Sequence, residues 1–436
     1  MIEVDARVDC DGSEIAPLDE ERLARELRAA VDAGITSAAV LLMHAYAYPE
    51  LEAKIAERAR EAGFAYVARS SEVASELGFL ARGETAVADA YLTPLLQRHV
   101  EALRDALPEA TLHFMQSSGG LTRPENFRGP GALLSGPAGG VIGTAHVAAE
   151  VGLRRAIGFD MGGTSTDVSL VVDGEAERAF ESVVAGIRVR APMLHIHTVA
   201  AGGGSLCRFD GTRASVGPES AGADPGPLCY GRGGAGGGRA RELALTDVNL
   251  WLDRIPDDRL PFPLQREPVA EAFERLEREL AAAGHTLDAD AIAAGFVEIA
   301  NDAMAQAIQE VSVRRGVDPR DFALVGFGGA GGQHVCAVAR KLGIRTVLLH
   351  PQAGLLSAFG IGVADLTWDR QQDAGRVALE SGRAPEAVSG VLDALEAAGR
   401  RELADEAGPG AEAVRTERFL DLRYRGTETA LTLVQP

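Results

Sequence analysis

The stretch Asp160-Met-Gly-Gly-Thr-Ser-Thr-Asp167 places two carboxylates, a Gly-Gly bend and three hydroxyl groups between two apolar segments. Residues 156–159 precede it, and residues 168–172 follow it and lead into Asp173-Gly174, a dipeptide typical of tight hairpin turns. The pattern therefore predicts a strand, a glycine-containing loop and a second strand.

A loop of this composition suits phosphate groups. Glycines let backbone N–H groups approach phosphate oxygens, and the hydroxyls that follow add further donors. A carboxylate such as Asp160 can hold Mg²⁺ through the waters of the ion. A P-loop would need a helix directly after the glycines and a Lys-Ser/Thr pair, and neither is present. A polar hairpin turn without a ligand is the alternative. The predicted cofactor contacts are Gly162, Gly163, Thr164, Ser165 and Thr166.

Length and charge limit the class of protein. The chain has 436 residues, of which 46% are hydrophobic, and this predicts a globular protein of two or three domains. Its 43 basic and 63 acidic residues give a net charge of −20, which disfavours nucleic acid and anionic membrane surfaces as partners. Four widely spaced cysteines, no basic-then-apolar start and no membrane-length run predict a soluble, cytoplasmic protein.

Helical and strand patterns alternate over the first 110 residues, with a buried strand predicted at residues 38–43 and a long helix at residues 84–103. Residues 135–147 carry small side chains at helical spacing, which predicts a helix packed very closely against a neighbour. Residues 200–240, including residues 231–238, are dense in glycine and are predicted to be largely irregular loop. Strand patterns near residues 419–425 and 430–434 predict the start of another domain.

A second glycine motif, Gly326-Phe-Gly328-Gly-Ala-Gly331-Gly332, follows a predicted strand and opens a predicted helix. It matches G-x-G-x-x-G, but His350-Pro351 stands where a dinucleotide site would carry an acid for the ribose, so NAD is the weaker interpretation. A helix start reached through glycines still suits a nucleotide. A tight turn without a ligand is the alternative. The predicted contacts are Gly328, Gly329, Ala330, Gly331 and Gly332.

The order of these features resembles the actin, sugar kinase and Hsp70 superfamily. The loop at Asp160 resembles its second phosphate motif, residues 135–147 its connecting helix, and residues 327–332 its adenosine motif. The resemblance implies an α/β fold built from two ribonuclease H-like ATPase lobes. Residues 1–150 would form an incomplete first lobe with the connecting helix, residues 151–367 the second lobe, and residues 368–436 the start of a mixed α/β carboxy-terminal domain.

Further segments make the chain similar to the hydantoinase A and 5-oxoprolinase family, over nearly all of residues 3–434. The most distinctive are Gln116-Ser-Ser-Gly-Gly120, His197-Thr-Val-Ala-Ala-Gly-Gly-Gly-Ser205 and Ala353-Gly-Leu-Leu-Ser-Ala-Phe-Gly360. His195-Ile-His-Thr-Val-Ala-Ala201 and Asp89-Ala-Tyr-Leu-Thr-Pro94 resemble 5-oxoprolinases more than N-methylhydantoinases.

This resemblance implies ATP-dependent hydrolysis of a cyclic amide, 5-oxo-L-proline, to L-glutamate, through phosphorylation of the lactam carbonyl oxygen. Asp160 and Asp167 would be the catalytic residues, with Asp160 holding Mg²⁺ through water and ATP bound by the two glycine loops. The expected partners are the small cyclic amide and a hydantoinase B-like subunit or fused domain, in an oligomer. An N-methylhydantoinase, an acetone-carboxylase-like subunit and a non-catalytic nucleotide-binding fragment are the alternatives.

One departure from the family pattern concerns the first phosphate hairpin, Asp-Gly-Gly-Thr-Phe-Thr-Asp, which this chain lacks. Together with the abrupt end at Gln435-Pro436, it leads us to expect a fragment truncated at both ends, or one piece of a split enzyme. Half of the expected phosphate clamp would then be absent, and the chain alone would bind ATP weakly.

The segment between the glycine motifs carries candidates for substrate or partner contact. His195 and His197 share one face of a predicted strand, and a metal site is a less favoured interpretation because the nearby cysteines match no zinc spacing. Cys207 and Cys229 are either nucleophiles or, more commonly for such residues, buried thiols. The predicted substrate or partner contacts are His195, His197, Gly203, Gly204, Ser205 and Asp224.

Overall fold

The computed structural model describes residues 1–232, 242–256, 261–375, 377–378, 386–407, 414–424, 427 and 430–435. Part of the glycine-rich stretch at residues 231–238, from residue 233 onward, lies outside these ranges.

The chain contains both strands and helices. The strands are β1 (Arg7–Val8), β2 (Glu14–Ala16), β3 (Ser37–Val40), β4 (Tyr66–Arg69), β5 (Phe114–Met115), β6 (Leu121–Thr122), β7 (Ala156–Met161), β8 (Thr166–Val172), β9 (Glu175–Ala176), β10 (Arg178–Val184), β11 (Ile187–Leu194), β12 (Ile196–Val199), β13 (Ser205–Phe209), β14 (Ala214–Ser220), β15 (Ala323–Phe327), β16 (Thr346–Leu348), β17 (Arg418–Leu422) and β18 (Leu431–Gln435). The α-helices are α1 (Glu20–Asp32), α2 (Glu50–Ala62), α3 (Ser70–Val73), α4 (Phe79–Ala106), α5 (Gly129–Ala132), α6 (Ser135–Glu150), α7 (Leu245–Trp251), α8 (Glu267–Ala282), α9 (Ala289–Arg314), α10 (Gly331–Leu342), α11 (Leu356–Val363) and α12 (Glu386–Ala407).

The chain folds into two compact units, each assembled from separate stretches of sequence. Unit one contains Met1–Ser135, Arg178–Met193 and Asp365–Pro436, and unit two contains Gly136–Glu177 and Leu194–Ala364. The domain boundaries proposed from the sequence remain a prediction. No helix in the described ranges combines the length and the apolar composition that crossing a bilayer requires.

Unit one contains a two-stranded parallel sheet, β3 with β4, covered by α1 and α2. Leu23 and Leu27 of α1 pack with Ile55 of α2 because apolar residues at helical spacing share one face. The predicted strand at residues 38–43 is wrong in its extent, since β3 ends at Val40. A buried carboxylate explains the early end, because the Leu42 N–H donates to Glu52 Oε1 at 2.8 Å instead of to a neighbouring strand.

Unit two is organised around a mixed sheet with the strand order β12-β8-β7-β15-β16, and β9 pairs with β8. β7 and β8 form the predicted hairpin, and β15 runs parallel to β7 on its other side. Ile157 and Phe159 pack into the core with α9, whereas Ala156 and Val171 pack with α6 and α11 on the opposite face. The turn at Asp173-Gly174 connects β8 to β9, with both residues at positive φ, as the sequence predicts for a tight hairpin.

The glycine-rich segment is more regular than predicted. β13 and β14 pair antiparallel within residues 200–240, so the expectation of a largely irregular loop is wrong for residues 205–220. Alternation of apolar and polar residues is weak there, and the strands are defined by their pairing with each other. Seven-residue β14 ends at Ser220, and a turn-rich stretch follows it.

The predicted close packing of the small-residue helix is confirmed. In α6, a Cβ added at Gly139 would lie 2.4 Å from the Ser357 carbonyl oxygen, and one at Gly143 would lie 2.8 Å from the Leu356 carbonyl oxygen. In α11, a Cβ added at Gly360 would lie 1.8 Å from the Gly139 carbonyl oxygen. The two helices are thus in backbone-to-backbone contact, which glycine alone permits.

Candidate functional site

Two carboxylates face each other across the β7–β8 hairpin, where Asp160 is the cross-strand partner of Asp167. Burial and the neighbouring Asp167 charge raise the pKa of Asp160 to about 6, and a hydrogen bond from Ser357 offsets this only in part. Burial also raises the pKa of Asp167. Both shifts have the same cause, because a desolvated carboxylate without a cationic neighbour is costly to ionise. The pair therefore presents a site where a cation would be stabilised.

Two hydroxyl groups orient these carboxylates, and neither residue was assigned a role from the sequence. The Thr198 Oγ1 donates to Asp167 Oδ1 at 2.5 Å, and the Ser357 Oγ lies 3.5 Å from Asp160 Oδ2. Ser357 lies within the family-like segment at residues 353–360, and this position was the one indication in the sequence that Ser357 could belong to the site. Thr198 is the cross-strand partner of Asp167 in the β12–β8 pair, and only the pairing register shows this.

The first glycine loop connects the two carboxylates. The Gly162 N–H donates to the Ser165 carbonyl at 3.0 Å and closes the loop, while Gly163 and Thr164 are exposed. Thr166 differs from the other predicted cofactor contacts. Its side chain is fully buried, and its Oγ1 donates to the Ala201 carbonyl at 2.5 Å. This hydroxyl therefore forms a hydrogen bond inside unit two and does not face the loop surface.

The second glycine loop lies directly beside Asp160, because Phe327 at the end of β15 is the parallel partner of Asp160. Gly328 has a φ of +80°, and a Cβ there would lie 2.4 Å from Asp160 Oδ1. The Ala330 N–H donates to the Met161 carbonyl at 2.9 Å, and α10 begins at Gly331. Both glycine loops therefore meet at the carboxyl ends of neighbouring parallel strands, where α/β proteins usually bind ligands.

Three glycines of these loops face open space. A Cβ added at Gly163, Gly329 or Gly332 would meet no atom within 4 Å, and all three residues are exposed. Tight packing therefore does not explain why glycine occupies these positions. A ligand approaching the backbone closely is one physical reason for a missing side chain there.

Comparison with known families is consistent with this geometry. Residues 82–370 match the family described as Hydantoinase/oxoprolinase, and residues 1–63 match the Hydantoinase/oxoprolinase N-terminal region. The chain belongs to the hydantoinase/oxoprolinase family. The resemblance stated from the sequence motifs is thereby confirmed.

Relatives of this hydantoinase/oxoprolinase chain are longer than the chain itself. The 5-oxoprolinase 1 of Arabidopsis thaliana is 40% identical to it, and the match covers 96% of the chain and 34% of the relative. Caprolactamase subunit alpha of Pseudomonas jessenii is 32% identical, and the match covers 97% of the chain and 61% of the relative. The chain thus spans about a third of the length of the first of these relatives.

Two solved structures share the fold. The ATP-dependent caprolactamase from Pseudomonas jessenii superimposes with a TM-score of 0.83 at 29% identity, covering 99% of this chain and 63% of that one. A nucleotide-free acetone carboxylase superimposes with a TM-score of 0.79 at 23% identity, covering 99% and 62%, and bears on the fold alone. The mixed α/β architecture is therefore shared with both.

The predicted substrate or partner residues do not gather at the carboxylate pair. His197 is the cross-strand partner of Val168, which packs into the α9 side of the sheet, whereas Thr198 and Asp167 lie on the other side. His195 Nδ1 lies 4.0 Å from Glu177 Oε2, and Arg315 pairs with the same carboxylate. Burial lowers the pKa of His195, and Glu177 opposes this effect. Asp224 is exposed in the stretch after β14.

Gly203, Gly204 and Ser205 are buried behind the first glycine loop. The backbone of Gly203 and Gly204 donates hydrogen bonds to that loop, and the predicted contact of all three residues with substrate or partner stays a prediction. Cys207 and Cys229 are also buried, and burial raises the pKa of both thiols. Buried, protonated thiols are poor nucleophiles, which favours the structural interpretation of these cysteines.

The residues present fit Mg²⁺ better than a transition metal. Within the described ranges, no group of three or more His, Cys, Asp or Glu side chains is arranged to hold a metal ion. Asp160 and Asp167 supply hard carboxylate oxygens without a neighbouring cysteine or histidine ligand. Mg²⁺ commonly binds through one or two carboxylates while keeping several waters, so this pair is compatible with the prediction for Asp160.

A buried histidine links α10 to two neighbouring helices by hydrogen bonds. His334 is fully buried; its Nδ1 lies 2.8 Å from Asn301 Oδ1, and its Nε2 lies 2.9 Å from Asn249 Nδ2. With the Asn249 amide donating to Nε2 and Asn301 Oδ1 accepting from Nδ1, the ring is neutral and carries its proton on Nδ1. Burial accordingly lowers the pKa of His334 to about 4. The network ties α7, α9 and α10 together near the second glycine loop.

We predict that this histidine makes the chain sensitive to acid. The folded-state pKa of about 4 lies below the ordinary value of 6.5, so only the unfolded chain takes up the proton between these values. Stability is therefore complete above pH 6.5 and declines as the pH falls toward 4. Between pH 7 and pH 5 the loss from this group should be about 2 kcal/mol in the free energy of unfolding.

Urea unfolding of the wild-type chain and of His334→Gln at both pH values measures this contribution. The pH dependence of the variant should be smaller by about 2 kcal/mol. His99→Gln, at an exposed position, serves as the control and should keep the wild-type dependence. Equal pH dependence in the wild-type chain and His334→Gln would contradict the prediction.

Proposed function

We propose that this chain forms the nucleotide-binding part of an ATP-dependent cyclic amidase that opens 5-oxo-L-proline to L-glutamate. The observation that carries the proposal is the half-buried Asp160–Asp167 pair between two partly exposed glycine loops at the carboxyl edge of β7 and β15. A family that includes 5-oxoprolinases supports the choice of reaction.

The arrangement of unit two supports the second of the two proposed ATPase lobes of the actin, sugar kinase and Hsp70 type. In unit two, an antiparallel hairpin with a glycine loop lies beside a parallel strand that enters a helix through a second glycine loop. The first loop would bind the phosphates of ATP, and the second would bind the adenosine. Helix α10 adds a favourable dipole because its amino terminus starts at this loop.

The carboxylates and loops have distinct tasks in this proposal. Asp160 would hold Mg²⁺ through its waters, and Asp167 would orient water with its own position set by Thr198. Bound Mg²⁺ neutralises charge on the phosphates during transfer. The lactam oxygen forms a bond to the γ-phosphorus while ADP leaves. Water then adds to the activated carbon, and the C–N bond breaks as the ring nitrogen takes a proton, which leaves an acyl phosphate. A second water cleaves the acyl phosphate to the carboxylate of the open chain and inorganic phosphate.

The whole enzyme would contain more than this chain. Relatives are up to about three times as long, and a hydantoinase B-like subunit or fused domain would supply the remaining part of the site. Release of phosphate from ATP that depends on 5-oxoproline, measured for the chain together with such a partner, tests the substrate. Ring opening of caprolactam or hydantoins, with none of 5-oxoproline, would overturn the assignment.

Nucleotide binding can be tested on the chain itself through its open glycines. Gly163→Ala adds a methyl group that meets no protein atom within 4 Å, so the melting temperature should not change. If the loop holds phosphate, the methyl group occupies space that ATP needs, and the Kd for ATP should rise about tenfold. Isothermal titration calorimetry measures the affinity, and calorimetric unfolding measures the stability.

A matched control is available in α9. Gly295→Ala also meets open space, yet it lies far along the chain from both loops, and it should leave the Kd for ATP unchanged. An unchanged Kd in Gly163→Ala would argue that the loop does not contact the nucleotide.

A further inference from the structure

A second turn, buried beneath the first glycine loop, donates hydrogen bonds to the backbone of that loop. The Gly203 N–H donates to the Gly162 carbonyl at 3.0 Å, and the Gly204 N–H donates to the Gly163 carbonyl at 2.6 Å. The carbonyl of Gly203 in turn accepts two hydrogen bonds from Thr246, one from its N–H at 2.6 Å and one from its Oγ1 at 2.7 Å. We call Gly202, Gly203, Gly204 and Thr246 the brace.

The brace dictates which way the amides of the loop point. A trans peptide is planar, so the carbonyl of one residue and the N–H of the next point in opposite directions. The bonds after Gly162 and Gly163 are trans, since the described cis bonds lie elsewhere. The carbonyl groups of Gly162 and Gly163 both accept hydrogen bonds from the brace, on the inner side of the loop. The N–H groups of Gly163 and Thr164 must therefore point outward, away from the brace.

These two amides have no partner within the described part of the chain. The backbone bonds of the loop are those of Gly162 with Ser165 and those of the brace, and neither Gly163 N–H nor Thr164 N–H donates to a described atom. Both residues are exposed. Two adjacent N–H donors that point outward, beside a carboxylate pair suited to a cation, can donate hydrogen bonds to the oxygens of a phosphate group.

Close approach of the two turns requires glycine in the brace. A Cβ added at Gly202 would lie 2.7 Å from the carbonyl of Gly163, and one at Gly204 would lie 2.9 Å from the same oxygen. At Gly203 a Cβ would lie 2.8 Å from Thr246 Oγ1 and 3.4 Å from the Cβ of Ala330 in the second loop. The brace therefore contacts the first glycine loop directly and lies near Ala330 of the second, and a side chain on it would displace the first loop.

We propose that the brace is a positioning element that aims the Gly163 and Thr164 amides at a phosphate group of the bound nucleotide. The inference rests on the proposed nucleotide site and extends it to residues outside both glycine loops. Thr246 acts at a distance, through the Gly203 carbonyl, and touches no ligand. Its hydroxyl keeps that carbonyl turned toward α7, and the Gly204 N–H of the same peptide consequently stays turned toward the first loop.

Thr246→Val tests this role, because it removes the hydroxyl and keeps the size and the backbone N–H. The Kd for ATP should rise about tenfold, which corresponds to about 1.4 kcal/mol of lost phosphate binding. The Kd for adenosine, measured by competition, should stay within a factor of about two, because adenosine has no phosphate. Thr246→Ser restores the hydroxyl and should restore ATP affinity.

A control separates this effect from general loss of stability. Thr85→Val removes a fully buried hydroxyl of unit one that donates to the Ala81 carbonyl at 2.7 Å and accepts from the Arg190 N–H at 3.0 Å. It should lower the melting temperature to a similar degree and leave the Kd for ATP unchanged.

The outcomes distinguish the inference from the proposed function. Equal affinity for ATP in Thr246→Val and the wild-type chain overturns the brace, as does an equal loss for ATP and adenosine. Failure of Thr246→Ser to restore ATP affinity also overturns it. A wild-type chain that binds neither ATP nor adenosine overturns the nucleotide site and the brace together.

Discussion

Gly360→Ala should lower the free energy of unfolding by about 3 kcal/mol, the upper end of the usual cost of overpacking. The added Cβ would lie 1.8 Å from the Gly139 carbonyl oxygen and 2.7 Å from the Gly143 nitrogen. Both contacts are with backbone, so no change of rotamer relieves them. Helices α6 and α11 must move apart, and Ser357, whose Oγ faces Asp160, moves with α11. Urea unfolding measures the loss.

The same helix provides the control for this prediction. Gly362 lies two residues further along α11, and a Cβ there would meet nothing within 4 Å. Gly362→Ala should keep or raise the stability, since alanine favours a helix over glycine by about 1 kcal/mol. Similar stabilities for the two variants would show that the close crossing of α6 and α11 does not contribute to the free energy of unfolding.

Asp160→Asn should lower the rate of ATP hydrolysis about 100-fold or more, in the range seen when a group that stabilises a transition state is removed. Asparagine keeps the size of the side chain but cannot supply a charged oxygen to Mg²⁺. The fold should persist, because the change also removes the repulsion between Asp160 and Asp167 that raises the pKa of Asp160. Phosphate release measures the rate.

Binding provides a second measurement for the chain alone. Mg²⁺ should tighten ATP binding by the wild-type chain, and this dependence should disappear in Asp160→Asn. Asp173→Asn makes the same chemical change at an exposed turn of the neighbouring hairpin, where asparagine tolerates the φ of 56°. This control should behave as wild type. An Asp160→Asn chain with wild-type hydrolysis and Mg²⁺ dependence would exclude Asp160 from the site.

Much of unit two was predictable because its signals are local. The alternation from apolar strand to glycine loop to apolar strand locates β7 and β8, and helical periodicity locates α9 and α10. Predictions failed where a distant group intervened. β3 is shorter than its apolar run because the Glu52 carboxylate takes the Leu42 N–H, and β13 and β14 exist through their mutual pairing.

The residues of the candidate site likewise divide into those that local sequence signals identify and those that depend on distant partners. Asp160, Asp167 and the two glycine loops were identified from the sequence, since carboxylates and glycines that directly follow apolar strands are typical of phosphate-binding loops. Thr198, Ser357 and Thr246 were not assigned a role. Thr198 and Ser357 lie within family-like segments, but nothing near any of the three in the sequence indicates which group its hydroxyl meets. Their importance comes from partners 31, 197 and 43 positions away along the chain.

The order of residues alone was enough to establish the family, the strand–loop–strand unit at Asp160 and the glycines that leave its backbone accessible. These properties depend on periodicity and backbone freedom, which neighbouring residues determine. Folding was needed to bring the loop at Gly328 beside Asp160, to turn the Gly163 and Thr164 amides away from the brace, and to place the two half-buried carboxylates together. Those features depend on strand register and on contacts between distant segments, and they convert a polar loop into a site suited to phosphate and a cation.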